Sequence, residues 1–131
     1  MDIAVTSQVL DAMERAARAA HPREACGILL GEGGWITQFI ETANVHGTPE
    51  THFEIDPQAL IDAHRHMRAG GPELLGYFHS HPKGAPAPSQ TDSAMAARDG
   101  RIWAISGKGD LRFWRDEADG FAALSYSIQE S

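Results

Sequence analysis

The stretch from Leu74 to Asp92 constrains this chain more than any other. It opens as an apolar run, Leu74-Leu75-Gly76-Tyr77-Phe78, which predicts a buried strand. His79 and His81 follow at its end. Side chains alternate across a strand, so both histidines leave the same face, with Cα atoms roughly 6.6 Å apart. That separation lets two imidazoles converge on one ion. Pro82 ends the strand, and Gly84, Pro86 and Pro88 mark a loop. Ser89 is a natural N-cap, which places Asp92 in the first turn of a new helix, able to face the histidine pair. Two His and one Asp supply three ligands and leave a fourth tetrahedral position open, the pattern of a catalytic rather than a structural zinc. A thiolate-rich structural site is excluded, because the chain has one cysteine.

His64-Arg65-His66 has the same spacing but lies in a helical pattern. Residues two apart on a helix diverge by about 200°, so these two histidines belong to a solvated face. His21, His46 and His52 lack a metal-binding context, although the loop carrying His46 and His52 is long enough to approach the site. Cys26 is expected to be a buried core thiol, with no basic partner nearby in sequence to activate it. Trp35, Trp103 and Trp114 are expected as strand and core aromatics.

Along the chain, Ser7 to Ala20 predicts a helix capped by Ser7, with Leu10, Met13, Ala17 and Ala20 on its apolar side, ended by His21-Pro22. Glu24 to Leu30 predicts a strand, and the turn Gly31-Glu32-Gly33-Gly34 joins it to a second strand, Trp35 to Thr42, in a hairpin. Asn44 to Thr51 is an irregular loop. A short strand is expected over Phe53–Ile55, then a helix from Asp56-Pro57 to about Arg68, broken by Gly70-Gly71-Pro72. After Asp92 the helical pattern runs to Gly100, and three strands follow: Ile102–Ser106, Leu111–Arg115 and Phe121–Ile128. These elements predict one α/β domain over residues 1–131, a mixed twisted sheet flanked by helices.

The formal net charge of −7 disfavours nucleic acid as a partner. No apolar run reaches the ~18 residues of a membrane span, so no membrane partner is expected. The amino terminus shows no secretory pattern, and the lone cysteine suits a reducing compartment, so the expected location is cytoplasmic. The oligomeric state is not legible.

His79-Ser80-His81-Pro82, the ten residues between His81 and Asp92 with Ser89 among them, and Glu24 in Glu-Ala-Cys-Gly-Ile-Leu-Leu-Gly resemble the JAMM (MPN-plus) metallopeptidase family, most closely its small free-standing prokaryotic members. The resemblance implies the MPN/JAB, cytidine-deaminase-like architecture and one zinc ion per chain, held by His79, His81 and Asp92. It implies Glu24 as general base and Ser89 as the hydrogen-bond donor to a developing oxyanion. It implies hydrolysis of amide or isopeptide bonds at the C-terminal tail of a ubiquitin-like or sulfur-carrier protein. The chain is too compact for the insertions by which eukaryotic relatives grip two ubiquitins. Alternatives are a non-catalytic MPN scaffold, whose members lose metal ligands, and a RadC-like protein of the DNA-repair-associated branch, which shares the His-x-His-Pro pattern.

Overall fold

The computed structural model describes residues 2–130. Its centre is an eight-stranded mixed sheet with order β7-β6-β5-β4-β2-β3-β1-β8. The elements are β1 (Ile3–Val5), α1 (Ser7–Ala20), β2 (Cys26–Glu32), β3 (Trp35–Thr42), α2 (Pro57–Arg68), β4 (Glu73–His81), α3 (Gln90–Met95), β5 (Ile102–Gly107), β6 (Asp110–Glu117), β7 (Gly120–Leu124) and β8 (Tyr126–Ile128). The predicted α/β architecture, a mixed sheet flanked by helices, is what is found.

β2 and β4 are central, and both are apolar runs because helices cover both faces. Their alternation divides the core. Leu29 and Phe78 pack with Val9, Met13 and Ala16 of α1 on one face. Cys26, Ile28 and Leu30 pack with Ala63 of α2 and with Trp103 and Phe53 on the other. β4 pairs antiparallel with β2, Cys26 opposite His79, and parallel with β5, His81 opposite Gly107. The ends of β4 and β5 and the start of β2 therefore meet at one edge of the sheet. Gly76 is required on the β4–β5 seam, since a Cβ there would lie 1.8 Å from the Ile102 carbonyl oxygen.

Several elements depart from the sequence pattern for local reasons. The predicted strand at Glu24 starts only at Cys26, because the Glu24 N–H is donated to the Pro49 carbonyl outside the sheet. Thr6, not Ser7, caps α1, its hydroxyl accepting from the Val9 N–H. Phe53–Ile55 is not a strand. Only Ile55 forms a bridge, to Asn44, while the Glu54 N–H is taken by the Asn44 side chain. α3 ends at Met95 rather than near Gly100, and the chain is then diverted: Arg98 adopts a left-handed backbone (φ 57) and donates its N–H to buried Asp116. The predicted last strand splits into β7 and β8 at Ser125, whose N–H bonds to the Asp2 carboxylate. β1 was not foreseen, since three residues carry too little periodicity. Among the described residues no helix is long and apolar enough to cross a membrane.

Candidate metal centre

The structure brings His79, His81 and Asp92 together at the end of β4. His79 Nε2 and His81 Nε2 are 3.0 Å apart, and each lies 3.1 Å from Asp92 Oδ2. Strand alternation aims the two rings to one side. The turn from Ser89 into α3 delivers the carboxylate from the other. Ser89 and Asp92 form a reciprocal capping box: the Asp92 N–H donates to Ser89 Oγ at 3.0 Å, and the Ser89 N–H donates to Asp92 Oδ2 at 2.9 Å. Asp92 thus both caps the helix and faces the histidines. Ser89 is exposed, and its hydroxyl proton is not used by the cap.

The chain orients these groups with further contacts. His81 Nδ1–H donates to the Ala85 carbonyl at 2.8 Å, which turns Nε2 toward the cluster, where it donates to Asp92 while protonated and offers a lone pair once deprotonated. His79 is fully buried, stacked on Phe53 with ring centroids 4.2 Å apart and met edge-on by Trp103 at 5.6 Å. Its Nδ1 has no hydrogen-bond partner, so aromatic packing fixes this ring. The loop from His81 to Ser89 is pinned by a hydrogen bond from Trp114 Nε1 to the Pro86 carbonyl. It also lies so close to β5 that a Cβ on Gly107 would meet the Gly84 oxygen at 2.2 Å.

The donor set fits a metal ion. Tetrahedral ligands about 2.0–2.1 Å from an ion lie roughly 3.3 Å from one another, close to the spacings here. Two unprotonated ring nitrogens and a carboxylate oxygen this close repel one another unless a cation or shared protons intervene. Burial alone would raise the Asp92 carboxyl, but hydrogen bonds from both histidines hold it far below the usual range. Burial pushes the His79 imidazole down, toward the neutral form that ligates metals. For His81, burial acts in the same direction, and the bonds to Asp92 and Ala85 outweigh it and raise the ring. These three residues form a group able to hold a metal ion.

Glu24 lies just before β2, next to this cluster. It is 6% exposed, and its Oε1 is buried without a hydrogen-bond partner. Burial raises its pKa to about 7, with His81 opposing the shift and Asp92 adding to it. The carboxyl is held there by its flanks. The Ala25 N–H donates to Ser80 Oγ at 2.8 Å, the Ser80 N–H donates back to the Ala25 carbonyl at 3.1 Å, and the Asn44 side-chain amide donates to the Glu24 carbonyl at 3.0 Å. Sequence reasoning missed Asn44, Phe53 and Ser80 as supports. Ser80 stands between the two histidines at a position where the metal spacing asks for no particular side chain, and Asn44 and Phe53 lie outside both motifs, so only their surroundings in space mark them.

Cys26 is buried, and its thiol is pushed up by burial, as expected of a core residue. His46 and His52 stack on each other at 4.6 Å in the loop beside Glu24 but are not part of the cluster. His66 is exposed and His64 half-buried on α2, away from the cluster.

Residues 6–117 match the family of prokaryotic homologs of the JAB domain. The chain belongs to that family. Other proteins agree with the assignment. A desampylase of Haloferax volcanii is 30% identical over 111 residues, covering 82% of this chain and 80% of that protein. A probable TtuB-protein conjugate cleaving protease of Thermus thermophilus is 38% identical over 71 residues, 54% of this chain and 47% of its own length. The solution structure of protein DSY2949 from Desulfitobacterium hafniense superposes on this prokaryotic JAB domain with a TM-score of 0.85 at 30% identity, covering 98% of this chain and 94% of that one.

Proposed function

We propose that this JAB-family chain is a zinc-dependent hydrolase of amide or isopeptide bonds, acting at the C-terminal tail of a ubiquitin-like or sulfur-carrier protein, with residues 1–131 as one catalytic domain. The observation that carries the reading is a buried carboxyl without a hydrogen-bond partner, Glu24, set beside an intact His79–His81–Asp92 group. A scaffold has no use for either. The conjugate-cleaving relative and the desampylase support the substrate class.

His79, His81 and Asp92 would hold one zinc ion, which when bound polarises the scissile carbonyl and acidifies a water. Two imidazoles favour zinc over the harder magnesium. Glu24 takes the proton from the attacking water. Its pKa of about 7 suits this step, because a base poised near the working pH both accepts and returns a proton readily. Having no other hydrogen-bond partner for Oε1, it is free to turn and donate that proton to the departing amine. The Ser89 hydroxyl keeps its proton available for the carbonyl oxygen as negative charge develops there.

Purified protein should contain about one zinc per chain and cleave a conjugate at the tail of a ubiquitin-like sulfur carrier. Glu24→Gln should retain the metal and lose on the order of 10²–10⁴-fold in kcat. A Glu24→Gln protein with wild-type turnover, or a protein that binds no zinc at stoichiometric supply, sinks the proposal.

A further inference from the structure

β3 has a free edge. It pairs with β2 along its length, but with β1 only at Trp35 and Ile36, because β1 ends at Val5 and the chain then turns into α1. Past a register shift at Thr37, Gln38 to Thr42 follow β2 without a break. Among the described residues, no hydrogen bond from outside β2 reaches Gln38–Glu41. We propose that this edge takes a second copy of the chain, β3 against β3 in antiparallel pairing about a two-fold axis, which joins the two sheets into one.

The first argument is what the edge lacks. Soluble proteins guard an exposed edge with lysine, proline, bulges or a covering element. The register shift in the β2–β3 ladder lies at the start of the stretch, and Gln38-Phe39-Ile40-Glu41-Thr42 contains neither lysine nor proline. Ile40 in its middle is 45% exposed, although its register partner Ile28 is buried. A concavity of about 580 Å³ flanks the edge on the α2 face, where Ile28, Leu30, Ile40 and Ala63 line it. Another of about 580 Å³ flanks it on the opposite face, between α1 and Phe39. An added strand would present side chains alternately to the two.

The second argument is self-complementarity. A two-fold axis maps the five-residue slot onto itself in one register, with Ile40 opposite Ile40, Phe39 opposite Glu41 and Gln38 opposite Thr42. The exposed isoleucines cover each other, and Glu41 is spared a like charge directly across the strands. Asp11 and Arg15 of α1 line the concavity beside the slot, exposed and four residues apart. Such a pair ordinarily meets along its own helix, yet among the described residues neither makes an ion pair. The two-fold lays the two α1 helices antiparallel on one face of the joined sheet, which brings Asp11 of each copy toward Arg15 of the other. These reciprocal charges favour a second copy over an unrelated extended peptide. β3 and β4 run in the same direction, each being antiparallel to β2. The two metal clusters would then lie at opposite edges of the joined sheet, both open, so the inference does not depend on the hydrolase reading.

The test is sedimentation velocity of the whole chain from ~1 μM to ~1 mM, in ~0.15 M salt, where repulsion between two chains of charge −7 is screened beyond about 8 Å. The mass should rise from one chain toward two across that range. Ile40→Lys, at an exposed position, should weaken association at least ~10-fold. Arg15→Asp should also weaken it, and combining Arg15→Asp with Asp11→Arg should restore it, since the exchange keeps the reciprocal pairs. The mass of a single chain at every concentration overturns the proposal. So does association that Ile40→Lys and Arg15→Asp leave unchanged, which would place the contact on another face.

Discussion

Glu24 carries the largest consequence of any single side chain, since an ordinary carboxyl has been given a folded-state pKa of about 7 by burial. Linkage fixes the sign of the effect on stability. With the native pKa above the unfolded value of 4.5, the folded protein binds more protons between the two, so stability falls as pH rises through that window. Metal-stripped wild type should therefore lose thermal stability from about pH 4.5 to about pH 7 relative to metal-stripped Glu24→Gln. Calorimetric Tm values of the two proteins, compared at each pH, check this; parallel curves would mean that the carboxyl is solvated. Ser89 caps α3 and, in the proposed mechanism, donates to the oxyanion, and the two can be separated. Ser89→Ala should cost about 1 kcal/mol through the lost cap, seen in denaturant unfolding. It should also cost on the order of 10²–10³ in kcat through the lost donor, seen in conjugate cleavage. Ser89→Asn, a comparable cap, should restore the stability.

The elements that hold the site differ in how far local sequence announces them. β4 and its histidines were legible because a strand's period of two is a strong constraint, and Pro82 and Ser89 mark where the strand ends and the helix begins. The segment Asn44–Ile55 was not legible. Five of its hydrogen bonds centre on one side chain instead of running along a ladder: Asn44 donates to the carbonyls of Glu24, Pro49 and His52, and accepts from the N–H groups of His46 and Glu54. Such a hub has no periodicity. The length of α3 was hidden for a similar reason, since its end is set by Asp116 from a distant strand. Asn44→Ala should cost about 1–3 kcal/mol in urea unfolding, because several backbone groups, most of them half-buried, lose a partner together. Zinc content should be kept while kcat falls, since the change loosens Glu24 and leaves the His-His-Asp group alone. Unchanged turnover would show that Glu24 is placed without that loop.

At the scale of the whole molecule, the site is a product of sheet order. Glu24, His79 and Asp92 lie far apart in the chain, and they meet because β2 and β4 pair in antiparallel register and a short loop returns from β4 into α3. An ion bound only in that arrangement stabilises it by mass action, by about 4 kcal/mol when free metal is 1,000 times its Kd. Chelation should therefore lower Tm in the wild type and leave it unchanged in His79→Ala, as scanning calorimetry would show. The route from His81 to Asp92 adds to this. Its loop is pressed against Gly107, hooked by Trp114 and bonded to His81 itself. The Asp92 carboxylate hangs from a stiff bracket, not a tether. Metal capture then has little slack to take up, so zinc should be gained and lost without any refolding of the surrounding chain.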